Sequence, residues 1–154
     1  RWFAALGAAS QYFGNSIVLV QFGTATTVDE INFERDRYVF LGGRIAPGID
    51  VMFKSLQERI PALNVSSGEL VDFPKNTEDA VTTGIIECQI GLIKNAIEKL
   101  KKKSDYAPVI VVLTGGGIES YEALHQCAVD HMPRAHINTN LVLKGLALEA
   151  QNKR

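Results

Sequence analysis

Apolar positions return along this chain with two different periods. Trp2, Phe3, Leu6, Ala9 and Phe13 fall near helical spacing and Gly14-Asn15 supplies a stop, which predicts a helix over Trp2 to Phe13. Ile17 to Phe22 is a nearly continuous apolar run rich in β-branched residues, the composition of a strand buried on both faces. Strand composition returns at Thr26 to Phe33 and at Tyr38 to Leu41, with Glu34 to Arg37 as a charged turn, so an antiparallel meander of three strands is expected. Gly42-Gly43-Arg44-Ile45-Ala46-Pro47-Gly48 reads as punctuation after that meander. Ile49, Met52, Phe53, Leu56 and Ile60 then predict a helix that stops at Pro61.

Ala62 to Lys75 has no clear period and reads as an ordered surface loop. The longest helix is expected to start at Asn76 or Thr77, with Glu78 and Asp79 as N-terminal acids, and to end in Lys99 and Lys101 to Lys103, where cations complement the helix dipole. Its apolar residues form two neighbouring stripes, Val81, Ile85, Cys88 and Leu92 beside Ile86, Ile90, Ile93 and Ile97. That face is wider than one packing surface needs, so the helix should touch the sheet and a second surface, either another domain or another subunit. Val109 to Leu113 is a further buried strand, broken at Thr114-Gly115-Gly116-Gly117 before a helix over about Ile118 to Val129. A short extended piece near His136-Ile137 precedes an amphipathic helix over about Asn140 to Ala150. Helices and strands mixed in this order define an α/β fold with a mixed sheet, and 154 residues that are 46% hydrophobic suit a single domain.

Composition narrows the function mainly by exclusion. Sixteen basic and seventeen acidic residues leave a net charge of −1, so nothing draws the chain to nucleic acid or to an anionic membrane. No apolar run approaches the roughly 20 residues of a membrane helix. Cys88 and Cys127 lie far apart without CxxC spacing, which suggests neither a disulfide framework nor a zinc site and fits a reducing cytoplasm. His125, His131 and His136 lack metal-ligand spacing and read as surface or packing residues. The chain opens on Arg1-Trp2 with no initiator Met, as a piece of a longer protein would.

Two glycine turns carry the candidate chemistry. In Gly23-Thr24-Ala25-Thr26-Thr27 a buried strand ends at a glycine followed by hydroxyl residues, where backbone amides and Thr hydroxyls can surround an anion and glycine permits close approach. It is neither GxxxxGK[ST] nor GxGxxG, and alone it is equally an ordinary hairpin. Thr114-Gly115-Gly116-Gly117 also follows a buried strand and precedes a helix N-terminus, which favours an anion or simply a tight connection. Two such turns on strands of one sheet, if they face each other, suit a nucleotide. Asp29, beyond the first turn, either bonds within the fold or approaches the site, and Lys144 reads as a solvated helix residue.

The ordered set Arg1-Trp2, Gly23-Thr24-Ala25-Thr26-Thr27-Val28-Asp29, Gly42 to Gly48, Ser55-Leu56, Asn76-Thr77, Gly84, Thr114-Gly115-Gly116 and Leu143-Lys144-Gly145-Leu146-Ala147 resembles type III pantothenate kinase, the Bvg accessory factor-like family. The resemblance covers essentially the whole chain and corresponds to the carboxy-terminal portion of the family. It implies a ribonuclease H-like domain of the actin and sugar-kinase ATPase superfamily, here the second domain of a two-domain kinase, with residues 1–154 forming that single domain and the amino-terminal domain lying outside the chain. It implies ATP-dependent phosphorylation of pantothenate, the first step of coenzyme A biosynthesis, by a cytoplasmic homodimer using Mg²⁺ and a monovalent cation, K⁺ or NH₄⁺. Gly23, Thr24 and Ala25 match the family's phosphate-binding turn, and Gly115 and Gly116 its nucleotide-side glycines. Arg1 matches the Arg of GxDR and Thr77 the Thr of the NT motif, both lining the pantothenate pocket, with Gly43 in the adjoining loop. The wide face over residues 78 to 100 matches a dimer surface.

Three departures from the family pattern change the expectation. The amino-terminal DxGN motif, whose Asp helps hold Mg²⁺ and phosphate, and the Asp of GxDR, the family's base, are both outside the chain, so the isolated chain is expected to be inactive and to contain no catalytic residue of its own. The position before Phe22-Gly23-Thr24, often Asp in the family and associated with the monovalent cation, is Gln21, which weakens that cation's site. A catalytically silent accessory or regulatory protein of the same fold is therefore the alternative. A sugar-kinase-type ATPase with another acceptor is disfavoured by the pairing of Asn76-Thr77 with Gly42 to Gly48.

Overall fold

The structure is a computed structural model that describes residues 1–60, 67–104, 107–120, 132 and 134–152. Helix α1 (Trp2–Gln11) leads into strands β1 (Ser16–Phe22), β2 (Ala25–Glu34) and β3 (Arg37–Pro47), then helices α2 (Ile49–Arg59) and α3 (Thr77–Lys103). Strand β4 (Val109–Thr114), the helical turn α4 (Gly117–Ser120), strand β5 (Ala135–Ile137) and helix α5 (Leu141–Asn152) complete it. The strands make one sheet in the order β3-β2-β1-β4-β5. β1, β2 and β3 pair antiparallel, as the meander requires, whereas β4 is parallel to β1 and β5 parallel to β4. A parallel neighbour needs a crossover, and α2 and α3 supply it between β3 and β4.

Strand alternation divides the core in two. Val18, Val20, Phe22, Val28, Val111 and Leu113 turn to the face covered by α2 and α3, while Ile17, Leu19, Ile31, Ile110 and Val112 turn to the face covered by α1 and α5. On that second face the helices approach unusually closely. A Cβ on Gly7 would collide with the Leu141 carbonyl, and one on Gly145 with the Phe3 carbonyl. The sheet's central strand is buried on both sides, which is why Ile17 to Phe22 reads as an unbroken apolar run.

Two expectations change. Gly42 to Gly48 is not a turn: β3 runs on to Pro47, pairing Gly43 with Asp29 and Pro47 with Ala25. Gly42, at φ +130°, instead absorbs a register shift opposite Glu30 and Ile31, the place of a glycine in a bulge. The reversal between β2 and β3 is made by Arg35 and Asp36, at φ 50° and 59°, which is the two-residue left-handed turn that matches strand twist.

The second correction concerns α3. Ile85, Ile86, Gln89, Ile90, Ile93, Ala96, Ile97 and Leu100 are buried, but Cys88 is exposed and Val81 and Leu92 are only half-buried. The wide stripe is absorbed within the chain by the sheet and by the partly buried Met52, Phe53, Leu56 and Leu70. Segment 68–71 is strapped to α3 by its own amides: Gly68 donates to Thr82 Oγ1 at 2.8 Å, Glu69 to Asp79 Oδ1 at 2.8 Å and Val71 to Thr83 Oγ1 at 3.2 Å. Asn76 caps α3 by accepting from the Asp79 amide at 2.8 Å.

The length of α3 decides what it presents. Gln89 Nε2 donates to the Pro47 carbonyl at 3.1 Å at one end of the strands, and Ser104 Oγ meets Ser16 Oγ at 2.9 Å at the other. From Gln89 to Ser104 the helix rises about 22 Å, close to the ~23 Å length of β1. The first part of α3, from Thr77 to Cys88, therefore extends about 18 Å past the sheet. The remaining elements agree with the pattern of the sequence in kind and nearly in boundary. The helix stop at Pro61, the body of the helix expected to Val129, and His125, Cys127 and His131 lie outside the described residues.

Candidate functional site: a cleft where two glycine turns meet

Parallel pairing of β1 with β4, in a register that sets Gln21 beside Thr114, ends both strands at the same edge of the sheet. The two glycine turns consequently lie side by side. Gly115, at φ +98°, approaches so closely that a Cβ there would collide with the backbone of Phe22. Gly48 packs in the same manner on the first turn: its amide donates to the Thr24 carbonyl at 3.0 Å, and a Cβ would collide with the Gly23 carbonyl. Gly116 differs, because a Cβ there meets nothing within 4 Å among the described residues. Packing among the described residues thus demands glycine at 48 and 115.

Between the turns and the start of α2 lies a cleft of about 190 Å³ lined by Phe22, Gly23, Thr24, Thr26, Ile49, Asp50 and Gly117. Gly23 spends its own amide on the Ala25 carbonyl at 3.2 Å, so it contributes space more than a donor. Ala25 opens β2 opposite Pro47 and is not part of the lining. Thr24 is exposed at the rim. Thr26 is fully buried and its hydroxyl has no hydrogen-bond partner among the described residues. A larger hollow of about 560 Å³, lined by Asn32, Glu34, Arg35, Asp36 and Lys103 among others, lies by the β2–β3 reversal at the opposite end of the sheet. It contains none of the glycine-turn residues, and the chemistry favours the smaller cleft.

Arg1 and Gly43 meet on the other face of the sheet. Asp29 is fully buried, and its carboxylate accepts from Arg1 Nε at 3.0 Å through Oδ1 and at 3.2 Å through Oδ2, with Arg1 Nη2 also paired to Oδ1. The hydrogen bond to Asp29 holds the guanidinium pKa above its ordinary value. Gly43 pairs with Asp29 across β3 and β2, and the ion pair occupies the space a Cβ would fill. The residue that fixes Arg1 is thus Asp29, for which sequence reasoning left two readings open. Its signal was present in the spacing, since Thr27, Asp29 and Ile31 must share one face of β2.

Thr77 is not part of that group. It is exposed at the start of α3, which covers the face of the sheet opposite to Arg1. Gln21 is half-buried and its amide oxygen accepts from the Thr27 hydroxyl at 3.4 Å. No three His, Cys, Asp or Glu side chains among the described residues converge to hold a metal ion, and Asp50 is the carboxylate in the lining of the cleft. His136 is exposed and lies against Tyr12 with ring centroids 4.9 Å apart and planes tilted by 42°, and Lys144 is exposed and donates to Gln11 Oε1 at 2.6 Å.

A five-stranded mixed sheet with helices on both faces is the fold the chain shares with actin-like ATPases. MreB 5 of Spiroplasma citri bound to AMPPNP aligns with a TM-score of 0.51 at 12% identity, over 98% of this chain and 57% of that one. A conserved Baf family protein from Campylobacter jejuni aligns better, with a TM-score of 0.67 at 23% identity over 98% of this chain and 64% of that one. The chain belongs to the type III pantothenate kinase family, whose model matches residues 1–99. The type III pantothenate kinase of Dechloromonas aromatica (strain RCB) is 38% identical over 95% of this chain and 56% of that protein. That of Chromobacterium violaceum is 40% identical over 75% of this chain and 47% of that protein. The chain spans about half the length of the curated relatives it matches.

Proposed function

We propose that this chain carries the nucleotide-phosphate part of an enzyme that transfers a phosphoryl group from ATP to pantothenate, giving 4′-phosphopantothenate. The observation that supports it most is the meeting of the Gly23 and Gly115 turns at one cleft, in a chain whose family is one of kinases. In this reading the turns that carry Gly23, Thr24 and Ala25 and Gly115 and Gly116 form the ATP-phosphate side. Residues 1–154 act as the second, ribonuclease H-like domain, and the relatives' additional length corresponds to a first domain that brings the acidic groups phosphoryl transfer needs.

Arg1 and Gly43 form the pantothenate side, with the guanidinium positioned by Asp29 to meet a carboxylate. Thr77 is exposed on the projecting part of α3, which supports its use by a second copy of the chain. Gly84, Cys88 and Gly91 are exposed along α3 and leave room for the close approach a homodimer would make there. ATP would arrive with Mg²⁺, held mainly by groups other than those described. Because Gln21 is neutral and already engaged by Thr27, a K⁺ or NH₄⁺ requirement should be weak. The reading places the protein in the cytoplasm.

The test is 4′-phosphopantothenate formation, followed by mass spectrometry, from pantothenate and Mg-ATP with the full-length parent protein and with this chain alone. Product from the parent only is the expected result. No product from the parent would sink the kinase reading and leave a silent accessory protein of the same fold.

A further inference from the structure

We propose that Gln89 is a positioning residue for the nucleotide cleft, an inference that rests on the nucleotide reading above and extends it to a side chain outside the cleft. From Ile85 to Leu100 the buried face of α3 is otherwise apolar, carrying Ile86, Ile90, Ile93, Ala96 and Ile97. Gln89 interrupts it at only 2% exposure. Its Nε2 donates to the Pro47 carbonyl and to Met52 Sδ, each at 3.1 Å. Its Oε1 is buried with no hydrogen-bond partner among the described residues. Turning the amide over would not mend this, because the oxygen would then face a carbonyl and a thioether, and neither donates.

A buried acceptor without a partner costs stability, and methionine or leucine would fill the position without one. What the glutamine adds is its two donor contacts, and both fall on the corner where β3 turns into α2. Pro47 ends the strand, and Met52 closes the first turn of the helix by donating its amide to the Gly48 carbonyl at 3.0 Å. Between them stand Gly48, which packs on the Gly23–Thr24 turn, and Ile49 and Asp50, which line the cleft. The corner is thus held from two sides: by the Gly48 amide on the Thr24 carbonyl at the cleft, and by Gln89 from α3. Gln89 thereby fixes the cleft wall relative to a 27-residue helix packed along the sheet. A residue that breaks the local packing rule at such a point is expected where function retains it. Phosphoryl transfer relies on positioning, so a wall free to shift should weaken the use of ATP. Arg1 and Gly43, on the other face of the sheet, should be untouched.

The experiment compares the full-length parent protein as wild type, Gln89→Met and Ile93→Val. Methionine keeps the volume and removes both the donor and the orphaned acceptor, so the protein should melt close to the wild type. Ile93→Val is the control, loosening the fully buried α3 core one turn further along. Hydrogen exchange read by mass spectrometry should quicken over residues 48–52 in Gln89→Met alone. KM for Mg-ATP should rise about fivefold in that variant, as loss of one hydrogen bond implies, with KM for pantothenate unchanged. Ile93→Val should alter neither constant. Exchange and ATP kinetics in Gln89→Met equal to those of the wild type would overturn the role of Gln89, as would an equal rise in both KM values. Should Gln89→Met melt as low as Ile93→Val, the pair decides at matched stability: a rise in KM for ATP confined to Gln89→Met supports the role, and a shared rise overturns it. A wild-type parent that neither phosphorylated pantothenate nor gained exchange protection over residues 22–26 with Mg-ATP would overturn the nucleotide reading and this inference with it. A wild-type parent that did both, beside an unaltered Gln89→Met, would overturn this inference alone.

Discussion

Replacing Gly43 by alanine tests the substrate-side geometry at its tightest point. The new Cβ would collide with the Asp29 carboxylate and stand 2.6 Å from Arg1 Nη2 and 2.7 Å from the Val28 carbonyl. Val28 is fully buried in the second strand of the sheet and cannot withdraw, so the Arg1–Asp29 pair must give way. Removing the partner of a fully buried carboxylate costs about 3–5 kcal/mol. Arg1 is 34% exposed, and water reaching the site offsets part of that. A loss of about 2–3 kcal/mol is expected, equivalent to roughly 5–10 °C in Tm for a chain of this size. Urea unfolding followed by far-UV circular dichroism would measure it, with an unchanged m value showing that only stability has moved. Gly84→Ala is the contrast, because its Cβ meets nothing within 4 Å and it sits in the interior of α3. There alanine should stabilise by about 0.5–1 kcal/mol. If Gly43→Ala unfolds within about 0.5 kcal/mol of wild type, the ion pair is not held where its geometry implies.

The closest helix approach gives a second expectation: Gly145→Ala must push α5 away from the Phe3 carbonyl and should cost about 1–3 kcal/mol in a thermal melt. Gly91→Leu should leave the monomer folded and lower the dimer fraction in sedimentation velocity, if α3 is the face on which copies meet; an unaltered dimer fraction would exclude that face. Alkaline stability should reflect Tyr38, whose hydroxyl donates to the Tyr12 carbonyl at 2.7 Å and whose pKa burial raises above its ordinary value. A raised folded-state pKa means its contribution is complete below the unfolded value of about 10 and is lost as pH climbs through the folded value. Tyr38→Phe should therefore lose stability less steeply than wild type above that pH, and an identical slope would contradict it.

Local chemistry along the chain determined the elements and much of the candidate site. Apolar runs with β-branched residues specify β1 and β4, helical spacing specifies α1, α2 and α3, and glycine after a buried strand marks both turns, because each signal acts within a few residues. The same locality explains what could not be read there. Gly42-Gly43 has the composition of a turn, and only the continued pairing of β3 with β2 makes it a bulge inside a strand. Cys88 fits an apolar stripe by spacing, yet the sheet, α2 and the strap at residues 68–71 bury the neighbouring positions and leave it exposed. Arg1 and Thr77 both match motifs of one pocket, but Arg1 pairs with Asp29 on the α1 face, whereas Thr77 is exposed on the part of α3 that projects past the sheet. Asp29 acquires its meaning from Arg1, 28 positions away. Residue type and spacing decide what a segment can become, whereas the face it turns to and the group it meets depend on pairing and packing between segments that are distant in the chain.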